Sequence, residues 1–217
     1  MPLQASHLSK ISTQPNSAFC IPARRSCIGM TPLCAELCYA LKNRFIFPDI
    51  AAVHAENLRR LRELEDDRHM SVAKQELLDA IPINLSLFRI HGAGDFYSQW
   101  YVDLWCEVVR ARPHTHFWTY TRSFQLEFRP MLRLCPNFTL WASTDGYNWI
   151  DAVRFVQDHK AYKVRHAWWP RDQTTPADAV VCPATNGGMN PNGACERCQL
   201  CVHRDTMNGR DISFETH

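Results

Sequence analysis

The chain contains no run of eighteen apolar residues, so no segment reads as a membrane-spanning helix. Its first ten residues (MPLQASHLSK) lack the apolar stretch of a secretory leader. Neither sign of charge dominates: 24 basic side chains stand against 22 acidic ones, so electrostatics demand no nucleic-acid partner. No internal repeat or low-complexity segment occurs, which excludes a repeat array. A cytoplasmic protein with no membrane partner is the expectation. Nucleic acid is left with one short basic–aromatic stretch, Lys42-Asn43-Arg44-Phe45, as weak support.

The abundant residue is cysteine. Ten cysteines in 217 residues are many for a chain expected in a reducing compartment, where clustered thiols mean metal more often than disulfides. Cys106 and Cys135 stand alone in apolar surroundings and read as small core residues. The other eight lie near the two ends of the chain.

The middle of the chain alternates helical patterns with short apolar runs. Residues 51–66 carry Val53, Ala55, Leu58, Leu61 and Leu64 at helical spacing, and 71–80 continue as a second helix. Residues 85–91 (LSLFRIH) read as a buried strand. An amphipathic helix follows over 98–111, with Ser98 as N-cap. Strands over 116–121, 138–143, 164–168 and 179–182 alternate with helices over 124–134 and 148–159, the first bent or ended by Pro130. A sixth strand is placed at 8–13. Strand–helix alternation argues for a parallel sheet with right-handed crossovers, and the length suits a partial, six-unit TIM-like (β/α) barrel. The expected organisation is therefore α/β: residues 1–181 form the partial barrel, with a cysteine loop at 20–39. Residues 182–217 form a cysteine-rich, loop-rich metal-binding segment packed on it.

In parallel β/α folds, ligands bind at the carboxyl ends of strands. Those ends deliver Gly92-Ala93-Gly94-Asp95, Arg122-Ser123, Thr144-Asp145 and Cys182. Cys27, Cys34 and Cys38 form C-x6-C-x3-C, three thiolates able to hold three irons of a [4Fe–4S] cluster. Cys20, seven residues earlier, reads as structural. Cys182, Cys195, Cys198 and Cys201 form C-P-x11-C-x2-C-x2-C, a spacing used by ferredoxins; structural zinc is the alternative there. The Gly/Asn/Pro-rich segment 184–197 has little core of its own and needs a metal to be ordered. One cluster, or two, is expected.

Together, Cys27, Cys34, Cys38-Tyr39-Ala40, Asn57-Leu58, Arg89-Ile90-His91, Gly94-Asp95-Phe96 and the terminal cysteine run resemble the gene-product-88-like family of phages and plasmids. The resemblance spans nearly the whole chain and implies an iron–sulfur protein of a mobile element. That family is in turn similar to radical SAM enzymes. The similarity implies that Gly92, Gly94 and Asp95 bind the cofactor, with Asp95 near the amino group of S-adenosylmethionine (SAM). The usual C-x3-C-x2-C spacing is replaced here by C-x6-C-x3-C, and a distal cysteine capping the fourth iron would leave SAM no place.

His91, Asp95 and Arg122 are the candidate catalytic residues. The plainer readings are that His91 and Asp95 cap local structure and that Arg122 makes a surface ion pair. Trp141, Trp168 and Trp169 could stack on bases or fill the core. Arg59, Arg60, Arg62 and Arg68 are balanced by Glu63, Glu65, Asp66 and Asp67, and read as a solvated face.

Overall fold

The structure is a computed structural model that describes every residue except 204, 206, 216 and 217, all of which fall in the expected cysteine-rich segment. In chain order its elements are β1 (Ala5–Ser6), β2 (Ala18–Cys20), α1 (Pro32–Leu37), α2 (Pro48–Asp66), α3 (Met70–Ala80), β3 (Leu87–Ala93), α4 (Gln99–Arg110) and β4 (His116–Thr121). There follow α5 (Arg129–Leu134), β5 (Phe138–Thr144), α6 (Trp149–Asp158), β6 (Arg165–Trp168), β7 (Val180–Val181), α7 (Ala194–Cys198) and β8 (Ile212–Ser213). Among the described residues, no helix is long and apolar enough to cross a membrane.

Among the described residues, all eight strands share one sheet, in the order β1-β2-β3-β4-β5-β6-β8-β7. The β1–β2 pair is antiparallel; every other neighbouring pair is parallel. From β1 to β6 the spatial order is the chain order, so the order never reverses as it does in a doubly wound sheet.

Successive strand residues point to opposite faces, and the two faces have different partners. Phe88, Ile90, Phe117, Phe138, Leu140 and Ala142 join one core with the apolar sides of α2, α3, α4 and α5. Their alternates Leu87, Trp118, Trp141 and Ala167 meet Ile11, Val202 and Met207 in two smaller clusters. The helices cover one face and the C-terminal segment covers the other. That segment also threads β8 between β6 and β7, so a boundary at 181/182 cuts through the sheet.

Three expectations need correction. The sheet has eight strands, not six, and 8–13 is a turn rather than a strand, closed by Ile11 N–H donating to the Leu8 carbonyl. The carbonyls of Ser9, Lys10 and Ile11 accept instead from Gly193, Cys195 and Glu196, at 2.6, 3.0 and 3.0 Å. They satisfy amides at the start of α7 that no intrahelical carbonyl can reach. Finally, the helix expected over 124–134 begins only at Arg129. Pro130 starts it rather than ending it, because a first-turn proline lacks an N–H that would have no partner there. Ser98 does cap α4, accepting from Tyr101 N–H at 3.2 Å.

Candidate metal centre

The first thiol loop is built over the carboxyl ends of β3, β4 and β5. Thr31 begins α1 by accepting from Cys34 N–H at 3.0 Å, and its hydroxyl donates to Asp145 Oδ2 at 2.6 Å. Asp145 is wholly buried and also takes a 2.6 Å ion pair from Arg122. Gly29 lies against the Arg122 carbonyl so closely that an added Cβ would stand 1.8 Å from its oxygen. Tyr39 closes the loop by donating to the Gly92 carbonyl at 2.8 Å. Cys27, Cys34 and Cys38 are thereby held, half-buried, above the strand ends. Burial pushes the Cys27 thiol up to about 12, and the Asp95 charge adds to the shift. Burial also raises Cys34, with Arg122 acting against it. Binding a cation would be needed to make these thiols ionise near neutral pH.

The second thiol set lies on the face opposite the helices. Cys182 follows β7, Cys195 and Cys198 sit on α7, and Cys201 follows it. The Cys201 turn is pinned from below: Trp141 Nε1 donates to the Cys201 carbonyl at 2.9 Å and Thr139 Oγ1 to the Val202 carbonyl at 2.6 Å. Cys201 is raised by burial, against which the Tyr120 hydroxyl acts by hydrogen-bonding its sulfur. Cys195, Cys182 and Cys198 all press on it with their charges. Cys195 is likewise raised by burial and feels Cys182 and Cys198. The four distal thiols therefore keep one another's company. Among the described residues, no three His, Cys, Asp or Glu side chains converge closely enough to hold a single metal ion.

Between the sets stands Arg89. Its Nε donates to the His91 carbonyl and Nη2 to Tyr39 Oη, both at 3.1 Å, and its guanidinium lies 4.9 Å over the Tyr120 ring. Its charge reaches both Cys20 and Cys195. No role was assigned to Arg89 from sequence; the available signal was a cation in the middle of an apolar strand.

The expected cofactor residues are used within the chain. Asp95 is buried; Oδ1 accepts from Phe96 N–H and Thr121 Oγ1, and Oδ2 from Arg122 N–H, at 2.7–2.8 Å. Burial lifts it to about 6 even so. An added Cβ at Gly92 would strike Leu8 and the Cys20 sulfur. At Gly94, where φ is +87°, it would strike Ile21 and Ser26. Both glycines thus serve close packing of β3 against the N-terminal chain. Arg122 makes a buried ion pair, not a surface one. Trp141 and Trp168 are buried in the sheet, which leaves no ring face for a base to stack on. Arg59 and Arg60 do pair with Glu56 and Glu63 along α2, and Arg60 also pairs with Glu76 of α3.

His91 turns toward the helices. It sits at a bulge where β2 residues Ala18 and Cys20 face Arg89 and Ala93 of β3, and has φ +65°. Its Nε2 meets Tyr101 Oη at 3.1 Å, and burial holds the ring down to about 3. With an unfolded value near 6.5, a depressed base contributes stability that is complete above pH ~6.5 and lost as pH falls toward 3. On the order of 4 kcal/mol is at stake across that window. Acid titration of unfolding free energy should show this slope, and His91→Asn should flatten it; an unchanged slope would assign the acid sensitivity elsewhere.

The fold and site define a mostly parallel α/β protein that carries two thiol sets, one over its strand ends and one on the sheet face. The chain belongs to the gene product 88 family, whose model matches residues 2–204. It is 31% identical over 203 residues to the Gene 88 protein of Mycobacterium phage L5, covering 88% of this chain and 82% of the relative. To the Gene 88 protein of Mycobacterium phage D29 it is 30% identical over 209 residues, with the same coverage. These relatives support the phage part of the resemblance drawn from the motifs. No solved structure matches.

Proposed function

We propose that this chain is an iron–sulfur protein that holds a [4Fe–4S] cluster on Cys182, Cys195, Cys198 and Cys201 and a second on Cys27, Cys34 and Cys38. Bound there, the clusters would supply one-electron chemistry or a redox signal. The reading rests chiefly on one observation: four distal thiols, free of disulfides and spaced C-P-x11-C-x2-C-x2-C, lie in one segment over a sheet face lined by Tyr120 and Trp141. The donors are all sulfur, as clusters prefer. Arg89 and Arg122 place cations beside the two sets, which offset the negative charge of thiolate-bound iron. Sequential parallel strands with their helices on one face favour a partial β/α barrel, its other side filled by the C-terminal segment. A redox or sensing role on a phage element, or one beside nucleic acid, fits this arrangement better than catalysis.

Anaerobically purified protein should be brown and contain iron and acid-labile sulfide. Colourless protein with stoichiometric zinc overturns the reading in favour of a zinc-stabilised domain. A second reading, SAM cleavage at an open iron, gains from the grouping of the distal thiols, which assigns none of them to cap the first set. It loses from the engagement of Asp95. Reduced protein given SAM should therefore yield no 5′-deoxyadenosine.

A further inference from the structure

On the helix-covered side of the sheet lies a thiol pair that belongs to neither set. Cys106, on α4, and Cys135, the residue after α5, have their sulfurs 3.8 Å apart. The Cys135 thiol also donates to the Cys106 carbonyl at 3.6 Å. Cys135 is fully buried, while Cys106 keeps 8% of its surface exposed at the edge of its helix.

We infer that Cys106 and Cys135 form a reversible thiol–disulfide site that a small peroxide oxidises. A disulfide needs its sulfurs about 2.05 Å apart. The two sulfurs already stand at contact distance, so about 1.7 Å of approach separates them from a bond. Cys106 is the entry point because it alone of the two meets solvent. Its ionisation is favoured first by its hydrogen-bond contact with Cys135, against burial and the Glu107 charge, with Arg110 also helping.

The chemistry balances. The Cys106 thiolate attacks one oxygen of hydrogen peroxide, the O–O bond breaks, and the departing hydroxide takes a proton to become water. The Cys135 sulfur then attacks the sulfenic sulfur of Cys106, the S–O bond breaks, and a second water leaves. Two thiols lose two hydrogens, and one peroxide is reduced to two waters. A dithiol reductant reverses the bond by exchange. The bridge would join residues 29 positions apart and enclose β4 with the loop that carries Arg122. Oxidation on the helix side would thus clamp the segment whose arginine anchors the first thiol loop.

The test uses the full chain, purified anaerobically and fully reduced, then pulsed with hydrogen peroxide, denatured, alkylated and mapped by peptide mass spectrometry. Circular dichroism at the same dose reports whether the fold persists. The expected result is a Cys106 peptide linked to a Cys135 peptide, formed while the fold persists and undone by dithiothreitol. Cys106→Ser and Cys135→Ser should each abolish it. Free, alkylated Cys106 and Cys135 under conditions that oxidise other cysteines would overturn the inference. So would a link that forms only after the fold is lost. Neither readout depends on iron, so the outcome stands apart from the cluster proposal.

Discussion

Replacing Asp145 with asparagine should destabilise the protein by about 3–5 kcal/mol, the usual cost of leaving one member of a buried ion pair uncompensated. Asp145 is wholly buried, and its Oδ2 takes both the Arg122 guanidinium and the Thr31 hydroxyl at 2.6 Å. An amide keeps the shape but removes the charge, so Arg122 stays buried without its counter-ion. In a domain of this size the melting temperature should fall on the order of 10 °C. Denaturant titration should show a lower midpoint at unchanged slope. The double variant Arg122→Met/Asp145→Leu should recover much of the loss, because no charge is then stranded. A single variant as stable as the parent would show that the pair does not tie β4, β5 and the cysteine loop together. Metal analysis adds a second readout: with Arg122 left without its counter-ion beneath the loop, the first thiol set should lose metal while the second keeps it.

Cys198→Ser should cost more than about 2 kcal/mol if a metal joins the distal thiols, since binding free energy in such sites is folding free energy. Cys198 makes this a sharp test. It is half-buried near the end of a five-residue helix, where a sulfur-to-oxygen exchange without metal should stay within about 0.5 kcal/mol. Trp118 and Trp141 of the sheet lie beneath the segment it belongs to. Loss of order there should expose apolar surface, increase binding of a hydrophobic dye and speed proteolysis beyond residue 182. Unchanged melting and proteolysis would show that no metal clamps this segment.

The helices and strands from α2 to β6 were legible because each is long enough to show its period. Leu58, Leu61 and Leu64 of α2 all point into the core at the spacing the sequence shows. In α4, Ser98 and the apolar face from Tyr101 to Val109 announce start and orientation together. The shortest strands were mostly not legible. β1 and β8 have two residues each and β2 has three, too few for any alternation to register, whereas the two residues of β7 fall inside the apolar run read as a strand over 179–182. The apolar residues of 8–13 invited a strand, but the backbone there serves α7, some 185 residues away in the chain, and no local pattern encodes that.

The same division runs through the candidate site. Cys27, Cys34, Cys38 and the terminal run stood out by spacing, because thiols that are to share a metal from one loop must recur at short intervals. The polar residues after each strand followed from strand polarity, since a parallel sheet collects them at one end. The sequence alone therefore determined the α/β class, the family and the two thiol sets. Tertiary structure alone decided that the distal set covers the sheet face opposite the helices, and that Asp95 and Asp145 are spent on holding strands and loop. It also decided that Arg89 lies between the sets and that Cys106 touches Cys135. Each depends on which face of the sheet a residue meets and on what crosses that face from far away in the chain. Local periodicity carries no record of partners brought together only by the long-range packing of the fold.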